Sequence, residues 1–127
     1  MPLDADPLGL LTDLLSEAKR NGADAADAVM FSGASLAISV RMGALEKLER
    51  SEARDLGLRV LIGKRQAIVS SNDFKRETLT TLVERAVATA REAPEDPYCG
   101  IAEPAQLATS IPTLDMCDEA EPEAERL

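Results

Sequence analysis

The spacing of apolar residues changes twice along this chain of 127 residues, and the change limits the folds that the chain can adopt. Over residues 8–18 apolar side chains recur every three to four positions, as on a helix with one buried face. Over residues 26–70 they recur every second position, as in strands. The helical spacing returns over residues 79–90. The sequence therefore predicts a sheet that is preceded and followed by a helix.

Terminal signals place the first helix at residues 7–21. Asp6 is a good N-cap, and Pro7 suits the first helical position, where no backbone N–H is needed. Gly22 suits the left-handed position that often follows the last turn of a helix.

Strand-like segments between the helices predict a mostly antiparallel sheet of four to five strands. A turn at 32–34, a bend at Gly43 and a hairpin at Gly63-Lys64 would separate them. The charged segment 46–51 reads as a polar strand, with a short helix as the alternative. The short connections favour antiparallel pairing. The segments are residues 26–31, 35–42, 46–51, 55–62 and 66–70.

The second helix completes an α/β (α+β) fold in which two helices pack against the sheet. Asp73 or a close neighbour is expected to cap it. Its apolar stripe consists of Leu79, Leu82, Val83, Ala86, Val87 and Ala90. After Ala93 the apolar period is lost, and five of the seven prolines occur there. We therefore expect an N-terminal domain at 1–93, and at 94–127 an extended Pro-rich connector with an acidic tail, leading to an absent C-terminal domain.

Composition argues against several classes of protein. The formal net charge is −9, with no compact Lys/Arg stripe, so direct binding of nucleic acid is not expected. The only aromatic residues, Phe31, Phe74 and Tyr98, are too few for a base-stacking platform. No apolar run approaches the roughly 20 residues that span a bilayer, and the first residues do not resemble a signal peptide. We expect no membrane partner and a cytoplasmic location.

Histidine is absent from the sequence. The usual general base, the commonest zinc ligand and every Ser-His-Asp or Cys-His arrangement are therefore missing from these residues. We expect no catalytic, cofactor-binding or metal-binding residue in this fragment.

Acidic and cysteine residues offer the alternative sites. Glu46, Glu49, Glu52 and Asp55 could form a carboxylate cluster, but Lys47, Arg50 and Arg54 lie between them and favour a solvated, internally paired surface. Cys99 and Cys117 could bind a metal or form a disulfide. Because no histidine or CxxC accompanies them, ordinary thiols are the preferred interpretation.

Arg59 lies on the polar side of a strand-like segment. Its guanidinium could bind a peptide carboxylate or an acid of a partner in a bidentate manner. A structural ion pair with Asp55 or a neighbouring Glu is the preferred alternative. The acidic tail could likewise be a binding segment, although most such charge runs are solvated.

Three stretches together resemble one protein family. They are SVRMGALEKLERSEARDLGLRVLIGKRQAIVSSNDF, TLTTLVERAVATARE and EDPYCGIAEPAQLA. The most specific part is Gly57-Leu58-Arg59-Val60, followed by a hairpin, a Ser-Asn-Asp turn and a helix. Over roughly residues 8–107 the chain is similar to the N-terminal region of the TldD/PmbA family, in its PmbA (TldE) branch, whose members are also called modulators of DNA gyrase.

The resemblance implies a role in a cytoplasmic, heterodimeric metalloprotease that degrades unfolded peptides, including a microcin precursor and an antitoxin. Family members are several times longer, and the HExxxH-type zinc motif belongs to the TldD subunit, beyond the region represented here. The expected partners are a TldD-like subunit and unfolded peptides, with self-association of the fragment left open. A protein-binding modulator of DNA gyrase and an autonomous small enzyme are the alternative functions.

Overall fold

The structure, a computed structural model, describes residues 6–116. Helix α1 spans Pro7–Arg20. The Asp6 side chain accepts a hydrogen bond from the Leu8 backbone N–H at 3.1 Å, and Asn21 is the C-cap. Gly22 follows with a φ of +104°, the left-handed conformation that ends a helix at little cost only in glycine. The predicted start and end signals of α1 are confirmed.

Three strands form one sheet in the order β1-β2-β3: β1 at Ala25–Arg41, β2 at Ala44–Ile62 and β3 at Arg65–Ser71. β2 and β3 pair antiparallel, from Leu56 opposite Ser71 to Ile62 opposite Arg65. The turn Met42-Gly43 has positive φ at both residues, and the predicted Gly63-Lys64 hairpin joins β2 to β3. β2 is therefore the central strand, and β1 and β3 are the edges.

The predicted count of four to five strands is wrong for this sheet, although its antiparallel α+β class is correct. The expected turn at 32–34 does not form, because the backbone stays extended through Gly33, which lies within β1 and takes no positive φ. The charged segment 46–51 is a strand, as predicted, but it continues without a break into residues 55–62. Five short segments are thus three longer strands.

Helix α2 spans Arg76–Glu92, and all six residues of its predicted apolar stripe are buried. Its N-cap is Lys75, which makes no side-chain capping bond. Asp73 secures the helix start instead. Its carboxylate accepts hydrogen bonds from the Lys75 backbone N–H at 3.1 Å and from the Thr78 hydroxyl at 2.9 Å.

The hydrophobic core lies between the two helices and one face of the sheet. Leu14 and Ala18 of α1 meet the α2 stripe and the alternate residues of β2, which are Leu56, Leu58 and Val60. The intervening residues of β2, including Gly57 and Arg59, project from the other face, which we call the open face because neither α1 nor α2 packs against it.

The described residues divide into two compact units. The first contains 6–32 and 53–101, and thus both helices, β3, the core and the adjoining parts of β1 and β2. The second contains 33–52 and 102–116, which are the β1–β2 turn with its flanking strand residues and a segment with a short 3-10 helix at Pro104–Gln106.

Residues 94–101, predicted to be extended connector, belong to the first unit and are bonded to it. The Asp96 backbone N–H donates to the Lys64 carbonyl at 2.7 Å. Arg65 donates to the carbonyl of Arg91 at 2.6 Å and lies 3.7 Å from the Glu95 carboxylate. These bonds hold the start of the connector against the β2–β3 turn. The predicted boundary at residue 93 stays a prediction.

Candidate functional site

Arg59 and Asp27 form an ion pair on the open face of the first unit. The Arg59 Nε donates to Asp27 Oδ1 at 2.9 Å, and the Nη2 donates to Oδ2. This hydrogen bonding is the main cause that raises the pKa of Arg59 above its usual value, against the opposing effect of burial. The predicted structural pairing of Arg59 is therefore correct in kind, but the acid comes from β1 rather than from Asp55 or a nearby Glu.

A shallow groove of about 370 Å³ surrounds this pair. Gly57 has no side chain to occupy the groove. A Cβ at this position would make van der Waals contact with Val29, 3.4 Å from its Cγ1 atom. Val29 and Ile68 are 66% and 71% exposed, and Phe31 nearby in β1 is 64% exposed. Clustered exposed apolar residues of this kind mark interaction surfaces. The groove is lined by Asp27, Ala28, Val29, Gly57, Arg59 and Ile68.

The connector turn lies beside β2 and β3 in the same unit. The Asp96 side chain accepts a hydrogen bond from the Tyr98 N–H at 2.9 Å, and the Lys64 ammonium donates to the Cys99 carbonyl at 3.4 Å. Cys99 is buried and free, whereas the Tyr98 ring is 95% exposed. The turn thus fixes one aromatic side chain in solvent. Cys117, the other cysteine considered for a disulfide or a metal site, lies outside the described residues.

The four acids that could have formed a carboxylate cluster lie exposed along β2. Three of them have a Lys or Arg within salt-bridge distance. Glu46 lies 3.3 Å from Arg41, Glu49 lies 2.7 Å from Lys47, and Glu52 lies 3.1 Å from Arg50. Asp55, the fourth, is also exposed. The solvated, internally paired interpretation is confirmed for these three acids. Of the acidic tail, only Asp115 falls within the described residues.

Metal ligation does not fit the side chains of the residues that the structure describes. Between residues 6 and 116 no group of three or more His, Cys, Asp or Glu side chains is placed to hold a metal ion. The carboxylates of β2 face ammonium or guanidinium groups, which compete with a cation for the same oxygens.

A second groove, of about 720 Å³, runs along α1 and meets the start of α2. Its walls carry both signs of charge, with Asp13, Glu17 and Arg20 on α1 and Arg76 on α2. This mixture does not select one class of ligand. Among the described helices none is long and apolar enough to cross a bilayer.

Comparison with known proteins identifies one family. Residues 26–90 match the model of PmbA/TldA metallopeptidase domain 1, a range that includes the open face and nearly all of α2. Over 98 residues the chain is 30% identical to Metalloprotease PmbA from Escherichia coli O157:H7. The aligned region covers 77% of this chain and 22% of that protein.

Two solved structures share the fold. One, a proposed modulator of DNA gyrase from Bacteroides thetaiotaomicron VPI-5482, has a TM-score of 0.78 at 19% identity, over 88% of this chain and 25% of that one. The other, TldE from Thermococcus kodakarensis, has a TM-score of 0.66 at 17% identity, over 84% of this chain and 24% of that one. The chain therefore spans about a quarter of the length of the proteins that it matches.

Proposed function

This chain belongs to the PmbA/TldD metallopeptidase family as its first domain, and from that premise we propose that it is a non-catalytic module of a PmbA-type (TldE-type) protease subunit. Its partner would be a TldD-like subunit that carries the zinc, and the substrates would be unfolded peptides in the cytoplasm. The match of residues 26–90 to the metallopeptidase domain is the observation that carries the proposal.

The donor set of the chain supports the non-catalytic assignment. The sequence contains no histidine, and Glu46, Glu49 and Glu52 of β2 each lie within salt-bridge distance of an Arg or Lys. Zinc sites in metalloproteases use His and carboxylate ligands and keep one position open for water. In such a two-subunit enzyme, one subunit would bind the metal and the other would contribute binding surface.

The groove around Asp27 and Arg59 is our candidate for the surface that meets the TldD-like subunit. It combines exposed apolar side chains with a charge pair that is already satisfied within the chain. Burying a paired charge costs less than burying an isolated one, so such a surface can be covered without leaving a carboxylate or guanidinium unpaired.

Mixing the purified chain with the TldD-like protein of the same organism tests the proposal. We expect a complex in size-exclusion chromatography, and peptide hydrolysis only when the TldD-like protein is present. Ile68→Lys should weaken the complex at least about tenfold, a loss of about 1.4 kcal/mol. Leu8→Lys is the matched control, because Leu8 is 73% exposed on α1, away from the groove.

The outcomes separate the two parts of the proposal. Absence of any complex, under conditions where the full-length pair assembles, contradicts the subunit role. Equal weakening by Ile68→Lys and Leu8→Lys contradicts the groove alone. Zinc-dependent peptide cleavage by the chain by itself contradicts the non-catalytic assignment.

A modulator of DNA gyrase is the second candidate, supported by the name of the Bacteroides structure that shares this fold. The net charge of −9 would then act through an acidic surface that contacts a DNA-binding protein rather than DNA. The test is to add the purified chain to a gyrase supercoiling assay. A change in supercoiling activity that disappears at high salt would favour this function over the first.

A further inference from the structure

The outer edge of β3 presents a row of backbone hydrogen-bonding groups. In the described part of the chain β3 is the last strand of the sheet, and it pairs only with β2. The two residues that flank a two-residue hairpin turn form a hydrogen-bonded pair, here Ile62 with Arg65. Because such pairs alternate along an antiparallel ladder, every second residue of β3 points its N–H and C=O away from β2. These residues are Gln66, Ile68 and Ser70.

A bond on the other side of β2 agrees with this alternation. The Leu61 carbonyl accepts a hydrogen bond from the Asp24 N–H at 2.9 Å, so it points away from β3, as its place in the ladder requires. Among residues 6–116 no backbone group outside the sheet bonds to Gln66, Ile68 or Ser70. Open groups of this kind on a strand edge pair readily with another extended backbone.

The connector reaches this edge but does not continue along it. The Asp96 N–H donates to the Lys64 carbonyl, just before the first residue of β3. Pro97 follows and has no N–H to extend the pairing. The chain then turns, and the Cys99 N–H donates back to the Asp96 carbonyl at 3.2 Å. An extended backbone can therefore approach this edge, and the connector leaves the groups beyond Lys64 available.

We propose that the outer edge of β3 binds an unfolded peptide as an added strand. The proposal rests on the function proposed above, since it names the element that would hold the peptide substrate. Hydrogen bonds to the backbone of Gln66, Ile68 and Ser70 would supply affinity that does not depend on the sequence of the peptide. The row from Gln66 to Ser70 spans roughly 13 Å, so about five residues of an extended peptide would fill it.

Ile68 gives the added strand one side-chain contact. It lies in the middle of the row, is 71% exposed and lines the groove on the open face. A peptide side chain that projects from the open face beside Ile68 would cover apolar surface, as neighbouring side chains on adjacent strands do. The next peptide side chain would project from the opposite face. The peptide would therefore lie along the margin of the groove that we assign to the TldD-like subunit.

Fluorescence anisotropy with the purified chain tests strand addition. The probe is a labelled peptide in which Thr and Val alternate over seven positions between terminal lysines. We expect saturable binding that weakens at least about tenfold when three consecutive central amides of the probe are N-methylated, because both edges of the peptide then lose donors. Ser70→Pro should weaken binding of the unmodified probe by a similar factor, since it removes a donor of the outer edge and keeps the bonds to β2. Ser70→Ala, which retains the N–H, is the matched control and should change the affinity less than about twofold.

Several results would overturn the proposal. They are absence of binding, equal binding of the two probes, equal binding by the two Ser70 variants, and sedimentation that shows a dimer of the chain, lost in Ser70→Pro, without peptide binding. Far-UV circular dichroism checks the fold of each variant, and the N-methylated probe decides the matter if Ser70→Pro disturbs it. A complex with the TldD-like subunit but no peptide binding contradicts this inference alone. Peptide binding without that complex supports the inference and contradicts the subunit role.

Discussion

Arg59 of β2 reaches Asp27 of β1 across 32 positions of sequence, and both nitrogens of the guanidinium fork that face Asp27 bond to its carboxylate. The pair therefore joins the central strand to an edge strand on the open face. This arrangement links the candidate interaction surface to both strands.

The energy of the Asp27–Arg59 pair should be small, because the two side chains are 47% and 32% exposed and water screens their attraction. A double-mutant cycle with Asp27→Ala and Arg59→Ala should give a coupling energy of about 0.2–1 kcal/mol in urea unfolding. The coupling should fall in high salt. A coupling well above 2 kcal/mol, insensitive to salt, would contradict the partly solvated geometry.

Leu82 should be among the most sensitive core positions, since it is 2% exposed in the middle of α2. Leu82→Ala should lower the free energy of unfolding by about 2–5 kcal/mol, through lost apolar burial and the cavity left behind. Glu84→Ala, on the exposed side of the same helix, should stay within about 0.5 kcal/mol of the unmodified chain. Similar melting of both variants would refute the packing of α2 on the sheet.

Gly22 is required by the backbone rather than by packing alone. Its φ of +104° is unfavourable for any residue with a Cβ, and a Cβ there would lie 2.9 Å from Arg91 Nη2, which donates to the Asn21 carbonyl at 3.1 Å. Gly22→Ala should therefore destabilise the chain by about 1–2 kcal/mol in urea unfolding. Gly100→Ala is the control, because nothing lies within 4 Å of its added Cβ. Equal effects would contradict this account.

Asp73 should make the start of α2 sensitive to acid. Hydrogen bonds from the Lys75 N–H and then from the Thr78 hydroxyl lower the pKa of Asp73 below its usual value of 3.8. A lowered pKa in the folded state means that the ionised carboxylate stabilises the fold above pH 3.8, and that this contribution is lost as the pH falls through the folded-state pKa.

The measurement compares melting temperatures of Asp73→Ala and the unmodified chain. The variant should melt lower at neutral pH, and the difference should shrink as the pH falls toward about 2. A difference that stays constant over this range would show that the ionised form of Asp73 is not what stabilises the helix.

Local patterns in the sequence were sufficient for the helices and for the Gly63-Lys64 hairpin, because caps, apolar stripes and turn glycines act over a few residues. They failed at Ser32-Gly33-Ala34, which resembles a turn. An extended glycine costs only modest stability within a strand, and pairing in the sheet outweighs the local preference. The number of strands was therefore overestimated.

Contacts distant in sequence could not be read from local patterns. Asp55 was the obvious partner for Arg59 from proximity along the chain, whereas strand order places Asp27 beside it. The return of residues 94–101 onto the β2–β3 turn was missed for a different reason. Its shortest bond joins the backbone groups of Asp96 and Lys64, and these groups are the same in every non-proline residue.

The exposed ring of Tyr98 also determines which spectroscopic signal can follow unfolding of this chain. It is the only tyrosine, there is no tryptophan, and the ring is 95% in solvent while the protein is folded. Intrinsic emission will therefore change little when the aliphatic core melts, and a flat fluorescence trace would be mistaken for resistance to heat or urea. Calorimetry and amide circular dichroism detect the loss of the core and of the backbone ladders directly.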